Sequence, residues 1–265
     1  MQHAQDLSFW QVAIAASLIL INGAISVVLQ LGLEKRLMIA ASRTVVQLLL
    51  VGLVLDWVFD LHAWYAMFCL ALMMSLIAGG AAVRRADRRW SGIWIDTMLC
   101  ILLSSWFITG IALTAVVRIE PWYKPQYAVP LLGMILGNTL NGISIGLDRL
   151  GSELTAQRDR VEMLLSLGAT RWEAAREPVA TAIRAGMTPI INSMTVVGIV
   201  SLPGMMTGQL LEGGDPARAV RYQIVIMFLI GSGTALGTVG VVLAGFRRLF
   251  NARHQFVFPD REMRK

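Results

Sequence analysis

The apolar stretches of this 265-residue chain carry few polar groups, and those few define what chemistry is open to it. Asn138 and Asn141 lie three residues apart, which puts both amides on one face of a helix. Amides in an apolar helix hydrogen-bond to neighbouring helices, and the same pair has the chemistry to line a polar pathway. Ser144 sits in Gly142-Ile143-Ser144-Ile145-Gly146, a G-x-S-x-G pattern. In hydrolases that serine needs a strand-to-helix elbow and a histidine partner. The three histidines, His3, His62 and His254, are scattered along the chain, and none falls in a later apolar stretch. The pattern therefore reads as close helix packing, with Gly142/Gly146, Gly133/Gly137 and Gly233/Gly237 as small-xxx-small pairs. Leu202-Pro203-Gly204-Met205-Met206 removes a backbone donor and loosens the next turn, so a helix should break there; Pro189 is a second interruption. Broken helices mark binding sites in transporters. Met205 and Met206 also bring soft thioethers, although methionine is more often apolar filler. Arg43 and Asp96 are opposite charges, each about 8–9 Å from one end of an apolar stretch at ~1.5 Å per residue. They form a candidate intramembrane ion pair, the plain alternative being that each reaches the headgroups alone.

No catalytic constellation is present. The chain has no H-E-x-x-H, no Cys/His spacing suited to zinc and no G-x-x-x-x-G-K-[ST] phosphate loop. No metal site is expected. Composition explains why. Hydrophobic residues make up 56% of the chain and charged residues only 15%, against roughly 25% charged in a soluble domain. That excludes a disordered chain and an ordinary cytosolic enzyme, and leaves an all-α polytopic membrane protein. Seven apolar runs are long enough to span: Phe9–Leu33, Leu37–Leu55, Leu61–Val83, Trp90–Val117, Pro125–Leu147, Ala185–Leu211 and Tyr222–Phe246. Met1 to Ser8 holds no Lys or Arg, so the first run is expected to be retained rather than cleaved as a signal peptide. The net charge of +6 would suggest nucleic acid on a soluble protein. Here the Lys and Arg residues split 19 to 4 between alternate connections, which is the positive-inside pattern, and no nucleic-acid partner is expected. This predicts the N-terminus outside, the C-terminus inside, and one permease domain over 1–265.

One cytoplasmic connection, 148–184, is long and too polar to span. Leu150, Leu154, Val161, Leu164 and Leu165 form one helical stripe over about Leu150–Leu167, and Gly168 ends it. Thr170-Arg171-Trp172-Glu173 then fits a capping box that starts a second helix. The result is a short amphipathic elbow, or more plainly an interfacial connector.

Glu162-Met163-Leu164-Leu165-Ser166-Leu167-Gly168-Ala169-Thr170 resembles the EAA-type coupling loop of ABC transporter permeases. The Glu, the Leu-Gly-Ala and a following hydroxyl are kept, whereas Met163 and Leu164 replace the two alanines. Gly137-Asn138-Thr139-Leu140-Asn141-Gly142-Ile143-Ser144 and Ser201-Leu202-Pro203-Gly204-Met205-Met206-Thr207-Gly208-Gln209 resemble the signatures of the FetB-type iron-export permeases over nearly the whole chain. The resemblance implies a multi-pass inner-membrane permease, exporting iron or another metal ion. Plant relatives of the family are tied instead to a nucleotide sugar. It also implies two permease copies working with two copies of a separate ATPase, which binds the ATP and Mg; this chain binds no cofactor of its own. Glu162, Leu165, Leu167, Gly168, Ala169, Thr170 and Arg171 would then couple to the ATPase. Asn138, Asn141, Ser144, Pro203, Gly204, Met205 and Met206 would line the pathway. The rival readings are a stand-alone secondary transporter or channel, and an intramembrane hydrolase using Ser144.

Overall fold

The computed structural model describes residues 9–61, 64–86, 90–251 and 255–256. The three histidines, Arg88, Arg89, Arg253, Arg261, Arg264 and Lys265, on which part of the charge reading rests, lie outside the described residues. Nine α-helices form among the described ones: α1 (Phe9–Val28), α2 (Glu34–Leu61), α3 (Trp64–Arg85), α4 (Ile93–Ile111), α5 (Pro125–Ala156), α6 (Arg158–Ser166), α7 (Arg171–Val196), α8 (Gly204–Leu211) and α9 (Pro216–Leu249). A π-helical turn, Ala112–Val116, extends α4. Two isolated bridges, Val197 with Ser201 and Phe250 with Phe256, are the β-type pairing among the described residues. Backbone groups in hydrocarbon must be bonded within their own segment, so apolar runs of this length fold as helices.

Six described helices are long and apolar enough to cross a membrane: α1, α2, α3, α4 with its π-turn, α5 and α9. The protein is therefore an all-helical, multi-pass membrane protein. The expected span Ala185–Leu211 does not form one helix. Its first part belongs to α7, which starts at Arg171 and runs unbroken through Pro178 and Pro189. The chain then leaves the helix over residues 197–203 and resumes as α8. Pro189 thus does not interrupt the helix, while the Pro203 break is present. A proline within a helix removes only its own donor, and the helix survives if its neighbours re-satisfy the freed carbonyls. The expected helix over Leu150–Leu167 is also divided. α5 runs on to Ala156, Gln157 turns non-helical (φ −103°, ψ 19°), and α6 follows.

The core forms where α5, α7 and α9 meet, with α4 and α3 flanking them. Small residues bring these backbones together. A Cβ placed on Gly186 of α7 would stand 2.6 Å from the Gly142 carbonyl oxygen of α5 and 2.6 Å from Thr238 Cγ2 of α9. One on Gly142 would stand 2.5 Å from Thr238 Oγ1, and one on Gly237 would stand 2.4 Å from Thr139 Cγ2. The Gly142/Gly146 and Gly233/Gly237 pairs therefore pack helices as expected. The Gly133/Gly137 pair does not, because Gly133 meets only Met74 and Gly137 faces open space. Helices α1 and α2 lie outside this core, with long runs of exposed Leu, Ile and Val suited to lipid or to another membrane-embedded chain.

Gly186→Val should cost about 1–3 kcal/mol through overpacking and lower the thermal unfolding midpoint of the purified protein. Gly137→Ala, facing open space, should leave it unchanged.

Candidate functional site: an exposed elbow and the cavities of a broken helix

The elbow is built by its own hydrogen bonds. Gly168 takes φ +91°, which costs a glycine little, and closes α6. The Gly168 N–H donates to the Leu165 carbonyl and the Ala169 N–H to the Leu164 carbonyl, so the last carbonyls of α6 are satisfied. Thr170 then caps α7. Its hydroxyl accepts from the Glu173 N–H at 3.3 Å, and the Glu173 carboxylate accepts from the Thr170 N–H at 2.8 Å. The backbone hydrogen bond from Thr170, and then the one from its hydroxyl, hold the Glu173 carboxyl below its ordinary range. That contribution is complete above the ordinary carboxylate pKa and is lost as the pH falls through the depressed one.

The sites named for coupling sit around this turn. Glu162 pairs with Arg158 at 2.7 Å on the exposed face of α6. Leu165 is half-buried and packs inward with Leu164 and the buried Val161. Leu167 is 77% exposed, beside exposed Met163 and Trp172. Arg160 of α6 pairs with Glu177 of α7 and straps the two helices together. Ala169 and Arg171 are half-buried at the turn. Sequence reasoning missed Met163 and Trp172 as parts of the apolar tip, although the unusual Met at a position where alanine is expected was a signal. Trp172 also stacks edge-on against Phe246 of α9, with ring centroids 5.6 Å apart. Phe246 in turn meets Phe250 at 5.2 Å.

The charge pair is different from the one expected. Asp96 of α4 is held by Arg248 of α9 through two hydrogen bonds, Arg248 Nη2 donating at 2.9 Å and Arg248 Nε donating to the other carboxylate oxygen. Arg43 is exposed on α2, which packs against α1, α3 and α5 rather than α4. Spacing along the chain places Arg43 and Asp96 at similar depth, but the packing of α4 on α9 selects a cation from the far end of the sequence. Gly92 makes room for it. The residue adopts φ +85°, and a Cβ there would lie 2.3 Å from the Arg248 guanidinium carbon.

The polar residues named for a pathway divide between different surroundings. Asn141 accepts from Arg85 Nη1 of α3 at 2.8 Å, so it anchors α5 to α3. Ser144 is buried and donates to the Leu140 carbonyl at 2.7 Å. Its neighbours are the glycine-packed helices, which fits the packing reading of G-x-S-x-G. Asn138 donates through Nδ2 to the Met134 carbonyl and lines a cavity of about 320 Å³ between α5, α7, α8 and α9. Pro203, Gly204 and Met205 line the same cavity from the break, whereas Met206 faces an adjoining apolar groove. The break itself is folded by hydrogen bonds of the Ser201 N–H to the Val196 carbonyl and the Gly198 N–H to the Ser201 carbonyl. Gln223, Ser193 and Met227 join the lining and were not legible, because nothing in an apolar run marks which face of α9 meets a distant break. Gln223 is 6% exposed and its carbonyl oxygen has no partner among the described residues. Leaving such a group unpaired costs about 1–3 kcal/mol. A third cavity of about 420 Å³ opens beyond, lined by Glu212, Asp215 and Arg218, and shares Met134, Met205 and Ile226 with the first.

The model of an uncharacterised protein family, UPF0014, matches residues 9–250. The chain belongs to that family. A UPF0014 membrane protein of Synechocystis is 41% identical to it over 228 residues, covering 86% of this chain and 88% of the relative. The protein named "Probable iron export permease protein FetB" of Escherichia coli is 31% identical over 261 residues, covering 96% and 97%. A UPF0014 membrane protein of Bacillus subtilis is 32% identical over 224 residues, covering 84% and 88%. No solved structure matches the chain.

Charge reversal separates the two pairings of Asp96. Asp96→Arg or Arg248→Asp alone should lower the thermal unfolding midpoint by several degrees, since each leaves like charges facing. Combining the two should recover most of it, and combining Asp96→Arg with Arg43→Asp should not.

Proposed function

We propose that this UPF0014 protein is the permease subunit of an ABC transporter, driven through its α6–Gly168–α7 elbow by a separate ATPase subunit. The observation that carries this reading is the elbow itself. It is a short helix and turn, fixed by a glycine closure, a capping box and an interhelical ion pair, that presents Met163, Leu167 and Trp172 to solvent. A surface connector has no need of exposed apolar side chains on a rigid tip; a docking element does.

The helices leaving the elbow reach the cavities. α5 and α7 are locked to each other at Gly142 and Gly186, and α7 carries Ile190 and Ser193 into the cavity wall. From Arg171 to Ser193 is about 33 Å at ~1.5 Å per residue. Movement of the tip as an ATPase closes on ATP would therefore be carried along α7 to the cavity wall and the α8 segment that follows it. In this reading Glu162 and Arg158 face the partner, Gly168 and Thr170 keep the lever stiff, and ATP and Mg belong to the partner. The chain itself catalyses nothing.

The remaining assignments follow from the same picture. Counting α7, the break and α8 as one interrupted crossing gives seven crossings. With the basic elbow inside, the N-terminus lies outside and the C-terminus inside, in the inner membrane of a bacterial cell. The exposed α1 and α2 face lipid and a second permease copy. The cargo is a metal ion moved outward, a reading supported by the name of the Escherichia coli relative.

The alternative is a stand-alone transporter or channel. It predicts transport by the purified chain without nucleotide. The coupled reading predicts that an ABC ATPase subunit co-purifies with the chain from its own cells, and that transport in vesicles needs ATP. Leu167→Glu combined with Met163→Glu should cut ATPase co-purification at least tenfold while the unfolding midpoint stays put. Gly168→Pro should abolish transport. If either variant docks and transports normally, the coupling role of the elbow is wrong.

A further inference from the structure

The cavity at the helix break has a donor set with a definite chemical preference. Its polar lining is Asn138, Gln223, Ser193 and Ser201, its soft atoms are the thioethers of Met134, Met205 and Met227, and among the described residues no Asp, Glu, Lys, Arg or His lines it. Hydrogen bonds decide what some of these groups can offer. The Asn138 amide nitrogen donates one of its two hydrogens to the Met134 carbonyl, and the Ser193 hydroxyl proton goes to the Pro189 carbonyl. Ser193 is left with lone pairs alone, and Asn138 with its carbonyl oxygen and one N–H. Gln223 belongs to the same wall; its carbonyl oxygen is buried without a partner among the described residues, and a turn of the side chain would bring it onto an ion. Neutral oxygens and thioether sulfurs together suit a cation.

We infer that this cavity binds a soft, low-valent metal cation, shed of most of its water, held by thioether sulfur from Met134 and Met205 and by amide oxygen from Gln223 and Asn138. The proposal rests on the transport reading for its role, and it adds which cargo passes and where it pauses. Two physical arguments set the class. Thioethers prefer soft ions such as Cu(I) to hard ones. A site without carboxylates offers no countercharge, so it cannot offset the dehydration of a hard trivalent ion. For an iron cargo the set favours the ferrous over the ferric state. Neutral ligands also let the ion go, as passage requires.

The position of the methionines gives direction to the path. Met134 and Met205 line both this cavity and the one beyond it, so their side chains form part of the wall between the two. The far cavity, at the opposite end of the bundle from the elbow, carries Glu212, Asp215 and Arg218, with Asp215 accepting from the Ala217 and Arg218 N–H groups as the cap of α9. An ion leaving the site thus passes its own thioether ligands into a cavity of mixed charge.

The test is equilibrium dialysis of the full-length protein in lipid nanodiscs. Silver(I) serves as a soft, redox-inert probe and gallium(III) as a hard trivalent one. Cys69→Ser and Cys100→Ser are made first, so that thiols do not take the silver. The expected result is a silver ion bound per chain with sulfur ligation by X-ray absorption. Its Kd should rise at least tenfold in Met134→Leu/Met205→Leu and several-fold in Gln223→Leu. Met73→Leu, on the exposed face of α3, should leave it unchanged. Gallium should not be retained. Leucine is close to methionine in volume, so folding should survive; should the double variant unfold, Met205→Leu and Gln223→Leu singly carry the same comparison. Silver binding untouched by these substitutions overturns the proposal, and so does gallium binding at this cavity. Dialysis uses no ATPase, so failure of the coupled-transport reading would not disturb this result, nor the reverse.

Discussion

The approach of three backbones at Gly142, Gly186 and Thr238 governs the rest of the molecule. No side chain larger than hydrogen fits at either glycine, since the nearest atoms of the facing helices lie within 3 Å of where a Cβ would stand. In hydrocarbon there is no gain from hiding apolar surface, because lipid is as apolar as leucine. Helices associate there by close packing and a few polar contacts. The threonines around the glycines supply the knobs: Thr139, Thr234 and Thr238 are all buried. Once α5, α7 and α9 are fixed against one another, every other feature has a place. The elbow must emerge where α5 and α7 leave the contact, and the broken segment must fold back beside α5 and α9.

The break and the elbow are two responses to one geometric demand. α7 is packed against α5 but is too polar over residues 171–184, with Arg171, Glu173, Arg176, Glu177 and Arg184, to be a simple spanning helix. Its small residues Ala174, Ala175, Val179 and Ala182 are buried against the bundle while its charged side chains point away, and its last residues, 191–196, are exposed. The short α8 resumes the path after residues 197–203. The turn bonds part of its own freed backbone, Ser201 N–H to the Val196 carbonyl and Gly198 N–H to the Ser201 carbonyl, while Ile199, Val200 and Leu202 stand exposed. The same packing brings Gln223 of α9 into the wall beside Asn138, Pro203 and Met205.

Electrostatics at the elbow end follow the packing in turn. Arg248 reaches Asp96 across the α4–α9 contact because Gly92 leaves the space for its guanidinium. Arg85 reaches Asn141 from α3. Trp172 touches Phe246, so the start of α7 and the end of α9 are joined by aromatic contact as well as by backbone packing. The three links tie α3, α4, α5, α7 and α9 together near the end of the bundle from which the elbow projects.

Much of this was written in residue types and local spacing. Apolar runs specified helices, and the charge deficit specified a membrane, because both depend only on composition over about 20 residues. The capping box at Thr170, the left-handed Gly168 and the break at Pro203 were legible because each is decided within four or five residues. The Gly142/Gly146 and Gly233/Gly237 packing pairs were legible for the same reason. Tertiary structure decided what spacing cannot: that Asp96 takes Arg248 rather than Arg43, that α7 passes straight through Pro189, and that Gly137 faces open space. It also decided that Asn141 serves as an anchor while Asn138 faces a cavity. Each of those outcomes depends on which helix lies alongside, and that neighbour is set by the three-dimensional fit of small residues far apart in the chain.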